Sequence, residues 1–308
     1  RLGGVADPPV RATLADPTGW AYRNHAQFHP TPGGGLGFQS AAGQGVVEIE
    51  TCPLLHPLLA ELYEALDLEL EGLVRLSLRA GTRTGERMLI FEMADDLPPA
   101  LEVDVPLSCV LLLSDGQAVN LIGSNHFTER VGGHTYRISA PSFFQVNTPQ
   151  AEQLVALVDG YLDLHGGETV LDAYCGVGLF SVPVAQRAGL VVGIELAPSA
   201  VEDLLVNAEG LDNIEVVEGP VEAVLPELDT PLDAAVLDPP RAGVERRALD
   251  ALVARHPARI VYVSCDPATL ARDAKRLIAS GYRLLEVQPV DMFPQTHHIE
   301  CVARFDRA

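Results

Sequence analysis

The sequence predicts an α/β protein: a doubly wound parallel sheet in the second half, preceded by a smaller α+β domain with an antiparallel sheet. Three observations lead there. From residue 169 onward, short and nearly continuous apolar runs alternate with helix-like stretches, the pattern of parallel strands covered by helices on both faces. Before about residue 141 the pattern is one of short strand-like runs separated by Pro- and Gly-containing turns. The first strand of the second half, over 170–173, leads directly into a Gly-rich turn and a helix.

Residues 1–19 are rich in Pro and Gly and are expected to form a tail or linker. The smaller domain is assigned to 20–140. Its strands are expected at 45–49 (GVVEI), 73–78 and 88–92 (MLIFE), with a turn at 31–35 (TPGGG) and one helix over 56–66, where Pro53 and Pro57 mark the start. The larger domain is assigned to 141–308. A helix over 149–162 precedes a strand at 169–173. A helix at 180–187, a strand at 191–195, a helix at 199–208 and strands at 214–217 and 234–237 come next. A helix at 248–255, a strand at 260–264, a helix at 268–279 and strand-like runs at 283–289 and 300–305 complete it.

A chain of 308 residues, 47% hydrophobic, is long enough to bury a core in each of two domains. No run of 18 apolar residues occurs, so no membrane span is expected. The five cysteines, Cys52, Cys109, Cys175, Cys265 and Cys301, are widely spaced and form no CxxC pair. That usage fits a reducing, cytoplasmic compartment and neither a disulfide framework nor a zinc cluster. The net charge of −21 runs against a nucleic-acid partner. Any such surface must be a local patch, to which Arg23, Arg75, Arg79, Arg83, Arg87, Arg130 and Arg137 are candidates.

The segment 170–180, VLDAYCGVGLF, joins the strand over 170–173 to the next helix. Gly176 and Gly178 permit a tight turn and close backbone approach to a ligand. Glu195 ends the next strand about 20 residues on, where an acid can accept hydrogen bonds from ribose hydroxyls. A dinucleotide loop ordinarily has a third glycine where this chain has Ser181. Asp172 beside the turn suits a cationic sulfonium cofactor, S-adenosylmethionine, better than an anionic pyrophosphate.

Three further clusters lie at strand ends, where open parallel sheets bind ligands. In Leu237-Asp238-Pro239-Pro240-Arg241 the prolines stiffen the backbone that presents Asp238. Cys265 follows an apolar strand and precedes a helix. A helix N-terminus is expected to lower its thiol pKa. In the segment 291–300 (DMFPQTHHIE), the adjacent His297 and His298 should point apart in extended backbone, which disfavours a metal. Glu300 fits a positioned base. Upstream, Gln145 in FFQVN both donates and accepts, as reading a base edge or an amino-acid group requires.

The segments FFQVN, LDAYCGVGLFS, DPPRAG, VYVSCDPATLARD and DMFPQTHHIE, in this order, resemble those of the bacterial RNA (uracil-5-)-methyltransferases. DMFPQT favours the 23S ribosomal RNA branch. Upstream, YRNHAQ at 22–27 and Thr51-Cys52-Pro53 resemble the family's smaller domain. The resemblance implies a Rossmann-like class I methyltransferase domain and S-adenosylmethionine as cofactor. It implies Cys265 as nucleophile, Glu300 as base, and Gln145, Tyr174, Leu179, Glu195 and Asp238 lining the cofactor and base site. Its implied substrate is RNA, ribosomal before transfer RNA, bound by a monomer. Many relatives carry Asn at the Leu179 position. Members often have an N-terminal RNA-binding barrel, and some hold an iron–sulfur cluster on four cysteines. Cys52 resembles the last cluster ligand, and the other three are expected only upstream of Arg1.

Two rivals follow from the same residues. An exocyclic amino-group methyltransferase also uses an Asp-Pro-Pro motif, but normally with an aromatic residue where Arg241 stands, and it has no need of Cys265. A non-catalytic RNA-binding factor has no need of the Cys265 and Glu300 pair. A nicotinamide dehydrogenase is more distant still.

Overall fold

The structure, a computed structural model, describes residues 3–40, 43, 45–67 and 71–308. The chain packs as two units. One comprises Trp20–Arg130 with Thr135–Thr148; the other comprises the segment ending at Gly19, Val131–His134 and Pro149–Ala308.

The smaller unit is built on strands β1 (His25–Pro30), β2 (Leu36–Gln39), β3 (Val46–Glu48), β4 (Leu73–Ala80), β5 (Arg87–Met93), β6 (Ser108–Leu112) and β7 (Ala118–Ile122), with helix α1 (Pro57–Glu64) between β3 and β4. The sheet order is β3-β2-β1-β4-β5-β6-β7. Every neighbouring pair is antiparallel except β5–β6. Strands β8 (His126–Val131) and β9 (His134–Ser139) form a separate two-stranded sheet. Helix α1 starts where His56 accepts from the Leu58 amide and Pro57 occupies the first turn, a position that needs no amide donor. Its buried Leu59 and Leu62 pack with Phe28, Leu76, Leu78, Phe91 and Leu111.

The larger unit contains α2 (Thr148–Leu162), β10 (Thr169–Ala173), α3 (Ser181–Ala185), β11 (Leu190–Glu195), α4 (Pro198–Asn207), β12 (Ile214–Glu218), α5 (Val221–Glu227), β13 (Ala234–Leu237), α6 (Arg246–Ala254), β14 (Arg259–Ser264), α7 (Pro267–Ala279), β15 (Tyr282–Val290) and β16 (Glu300–Arg307). The sheet order is β12-β11-β10-β13-β14-β16-β15. The first five strands are parallel, and β16 runs antiparallel to both its neighbours. All four residues of β13 are buried, as strands covered on both faces require. Chain order reverses direction across β10 and β13. That switch opens a crevice at the carboxyl ends of the strands.

The α/β class and most strand and helix positions follow the sequence expectation, with bounds shifted by a residue or two. Helix α5 was not anticipated, because Pro226 lies inside it and the run is short. The expected parallel sheet is extended at one side by the antiparallel β16 and by β15 beyond it. Residues 10–14, expected within a tail, lie along β15: Arg11 N donates to Val287 O at 2.9 Å and Leu14 N to Pro289 O at 2.9 Å, and Arg11 pairs with Glu286 at 2.7 Å. An edge strand offers unpaired backbone groups that an extended segment satisfies. Residues 141–148, expected with the second domain, cluster with the smaller unit.

Candidate active site

The carboxyl edge of the parallel strands gathers most of the anticipated residues. Asp172 lies near the end of β10, Glu195 ends β11, Asp238 follows β13 and Cys265 follows β14. Because β16 runs the other way, its first residue, Glu300, starts at this same edge. Ser264 is the partner of Cys301, so the next step of the antiparallel register sets Cys265 beside Glu300.

The turn after β10 is held by backbone contacts and by Glu195. The amides of Tyr174 and Cys175 both donate to Ile194 O, at 3.0 and 3.1 Å. Glu195 Oε2 accepts from the Gly176 amide at 2.9 Å, and Oε1 accepts from the amides of Leu196 and Ala197 at 2.8 Å each. Tyr174, Gly176 and Gly178 have φ of 68°, 54° and 91°. The left-handed turn therefore includes one non-glycine residue, Tyr174, a conformation that costs about 1 kcal/mol. A Cβ on Gly178 would collide with Leu204, so the second glycine is required twice over, by conformation and by space. Leu179 is buried beneath the turn.

Four carboxyls at one edge make the site strongly acidic. Asp172 is 1% exposed. Its Oδ2 accepts from the Ser181 hydroxyl at 2.5 Å, while Oδ1 is buried without a partner. Burial, reinforced by Glu195, pushes Asp172 up to about 7 against the Ser181 hydrogen bond. Burial and Asp172 push Asp238 up to about 7. Glu300, 3% exposed, is held well above the usual carboxylate range by burial and by Asp238. An orphaned buried oxygen and a cluster of carboxyls fit a cationic ligand, and a sulfonium amino acid with a ribose is such a ligand.

The thiol departs from expectation. Burial first, then Glu300, push Cys265 above its ordinary value, with Arg241 and a backbone hydrogen bond pulling the other way. The helix end does not offset this. Asp266 caps α7, its carboxylate accepting from the amides of Ala268 at 2.8 Å and Thr269 at 3.0 Å. The first-turn donors expected to favour a thiolate are already engaged.

Several other expectations are corrected. The rings of His297 and His298 lie 4.0 Å apart, where the sequence suggested that they diverge. Gln295 at φ 63° and the Thr296 N to Phe293 O bond of 3.2 Å turn the segment back on itself. His298 contacts the Arg241 guanidinium. Tyr174 packs against the core under the edge, and burial pushes its phenol up to about 12. The proposed arginine patch is reduced. Arg79 is 3% exposed and donates to the carbonyls of Ser139, Ala140 and Ser142, and Arg75 pairs with Glu92. Within the smaller unit, Gln145 is buried, its carbonyl held by Asn24 at 3.0 Å. Phe143 is 68% exposed, whereas Phe144 is buried against Tyr136.

Asp273 went unassigned in the sequence. It is a carboxylate inside the apolar stripe Leu270, Asp273, Ala274 and Leu277 of α7. A charge at a core position of a helix was the available signal.

Residues 227–307 match the family model described as tRNA (Uracil-5-)-methyltransferase, and residues 161–245 match the TRM5/TYW2 methyltransferase domain. An uncharacterised RNA methyltransferase of Gloeobacter violaceus is 39% identical over all of this chain and 75% of its own length. One from Bacillus cereus is 36% identical over 98% of this chain and 75% of its own length. Among solved structures, the Pyrococcus abyssi tRNA (uracil-54, C5)-methyltransferase in complex with S-adenosyl-L-homocysteine is 29% identical, with a TM-score of 0.77 over 97% of this chain and 79% of that one. Trm5b from Pyrococcus abyssi, 17% identical with a TM-score of 0.50 over 71% of this chain and 72% of its own, shares the fold alone. With its acidic, Gly-turned strand edge and relatives matched along its whole length, the chain belongs to the RNA (uracil-5-)-methyltransferase family of S-adenosylmethionine-dependent enzymes.

Proposed function

We propose that the protein methylates carbon 5 of a uridine in RNA through a covalent adduct on Cys265, with Glu300 as the base that ends the reaction. The observation that carries this reading is the pairing of β14 with β16. That pairing sets one thiol beside one carboxyl at the sheet edge, the two groups this chemistry needs.

Uracil carbon 5 is a weak nucleophile. Cys265 gives its proton to solvent, and the resulting thiolate adds to carbon 6, forming an S–C bond, while the electron pair of the 5,6 double bond moves out as an enolate with charge on carbon 5 and oxygen 4. S-adenosylmethionine, when held by Asp172, Glu195 and the turn through Tyr174 and Leu179, supplies an electrophilic methyl group for carbon 5. Glu300 then accepts the proton that carbon 5 still carries. The 5,6 double bond reforms, the S–C bond breaks, and Cys265 leaves as a thiolate. Burial and Asp238 raise the proton affinity of Glu300, which makes its carboxylate a stronger acceptor for the carbon 5 proton. Burial first, and then Glu300, hold the Cys265 thiol above its ordinary value, which lowers its reactivity toward adventitious electrophiles.

Gln145 is proposed to read a polar edge of the base or the cofactor and Asp238 to line the site. Ribosomal RNA is the proposed substrate, on the segment 291–296. Transfer RNA belongs in the same assay because the Pyrococcus abyssi neighbour is named for it.

The test is incubation with unmodified ribosomal and transfer RNA and S-adenosylmethionine, followed by digestion and mass spectrometry of the nucleosides. 5-Methyluridine is the expected product. A methylated exocyclic amine would transfer the chemistry to Asp238 and remove Cys265 from it.

A further inference from the structure

We propose that Asp273 is the positioning residue of the nucleophile: one buried carboxylate ties the strand before Cys265, the helix after it and the loop carrying Asp238 and Arg241 into a single body. This rests on Cys265 being the nucleophile.

Asp273 is 0% exposed. Its Oδ2 accepts from the Tyr262 hydroxyl at 2.9 Å, from the Val244 amide at 3.0 Å and from Arg272 Nη2 at 3.0 Å; its Oδ1 accepts from Arg272 Nε at 2.9 Å. Arg272 Nη2 also donates to Ala242 O at 2.9 Å. A carboxylate accepts about four hydrogen bonds, so these partners fill its capacity. The donors come from three segments. Tyr262 lies on β14, three residues before Cys265. Arg272 and Asp273 lie on α7, which begins two residues after it. Val244 and the Ala242 carbonyl close the loop that starts at Asp238.

The fit leaves no slack. Gly243 sits at φ 76°, and a Cβ there would lie 2.6 Å from Asp273 Oδ2. The short link around the thiol is fixed at its near end as well. Ser264 Oγ donates to Asp266 O at 3.0 Å and accepts from the Asp266 amide at 3.2 Å, and Thr269 Oγ1 donates to Asp266 O at 3.0 Å. Cys265 is thus suspended between two braced points, and the deeper one is shared with the Asp238 loop. A purely stabilising ion pair needs only Arg272. The additional bonds to Tyr262 and Val244 register the two reaction loops against each other. Addition to carbon 6 of a base whose carbon 5 must face the methyl donor is a two-point alignment, and misplacement by about 1 Å costs about 100-fold in rate.

Asp273→Asn keeps an oxygen for Val244 but turns an amide donor toward Arg272, which only donates. Tyr262→Phe removes one bond and keeps the ring. For both variants, kcat, KM and the S-adenosylmethionine Kd are measured well below each variant's melting temperature. So is the rate of adduct formation with ribosomal and transfer RNA transcripts containing 5-fluorouridine. Fluorine cannot leave carbon 5 as a cation, so elimination stalls and the adduct persists. The pH midpoint of Cys265 alkylation by iodoacetamide, read on its own peptide, supplies a signal that does not depend on RNA.

For Asp273→Asn, adduct formation and kcat are expected to fall about 10- to 100-fold, with KM and Kd within about 2-fold, and the alkylation midpoint to move by about half a unit or more as Cys265 shifts against Glu300 and Arg241. Tyr262→Phe gives the same pattern at about 3- to 10-fold, and decides alone should Asp273→Asn not fold. A folded variant with parental kcat and alkylation midpoint, or a loss confined to KM or Kd, overturns the proposal. Failure of the nucleophile reading looks different: Cys265→Ala would then continue to methylate RNA.

Discussion

The turns after β10 and β14 stand at the same sheet edge and are built in opposite ways. After β10, Asp172 is buried with one oxygen bonded to Ser181 and the other to nothing, and Glu195 is satisfied by backbone amides. After β14, the side chains of Ser264, Asp266, Thr269 and Asp273 are all engaged. The difference matches the role proposed for each turn. A turn that receives a cation keeps negative capacity in reserve, at a cost in stability that the ligand offsets. A turn that delivers a nucleophile is over-determined, because its task is placement.

The comparison breaks most completely at the proposed nucleophile. Cys265→Ala is expected to abolish turnover while S-adenosylmethionine affinity, read by calorimetry, stays within about 2-fold, since the thiol is not among the groups proposed to hold the cofactor. Methylation retained in that variant sinks the covalent mechanism. Glu300→Gln should still pass the methyl group yet fail to release product, so a denaturation-resistant RNA adduct accumulates on gels. Its absence would remove Glu300 as the base.

The cofactor side responds to pH and to Asp172→Asn. A folded-state value raised to about 7 means that the native protein binds this proton more tightly than the unfolded chain. The stability that proton supplies is complete below the unfolded carboxylate range and is lost as pH rises through about 7. Asp238 acts in the same direction. The melting temperature should therefore fall between pH 6 and 8.5, while affinity for the cationic cofactor rises as Asp172 ionises. Asp172→Asn is expected to flatten both trends and to weaken cofactor binding about 10-fold at pH 8, roughly one pKa unit of interaction. Unchanged Cys265 alkylation in that variant would confirm that the two turns act independently.

The smallest effects separate the two glycines. Gly176→Ala meets open space at φ 54° and should cost about 1 kcal/mol; Gly178→Ala, at φ 91° and against Leu204, should cost about 2–3 kcal/mol. Equal losses in chemical denaturation would mean that space around Gly178 does not matter.

Much of this edge was legible because each piece is local. Glycines at 176 and 178, an acid 17 residues after Gly178, and prolines behind Asp238 are fixed by short spacings that any strand–turn–helix unit obeys. The expected lowering of the thiol fails because burial first, and then Glu300, raise it, and the one local part of the answer is that Asp266 already caps the helix expected to activate Cys265. Arg79 and the two histidines were misread because exposure and chain reversal depend on neighbours far away in sequence. Arg79 answers to carbonyls about 60 residues on.

By itself the sequence determined the alternation of strands and helices, the α/β class and the presence of a thiol and a carboxylate in motifs of one family, because apolar periodicity and turn chemistry act over a few residues. Tertiary structure decided that β16 enters the sheet antiparallel, and so set Glu300 beside Cys265 across 35 residues of chain. It also decided that four carboxyls meet at one edge, where mutual repulsion and burial raise three of them. Strand order and the electrostatics of burial are properties of the assembled sheet, and no window of sequence contains them.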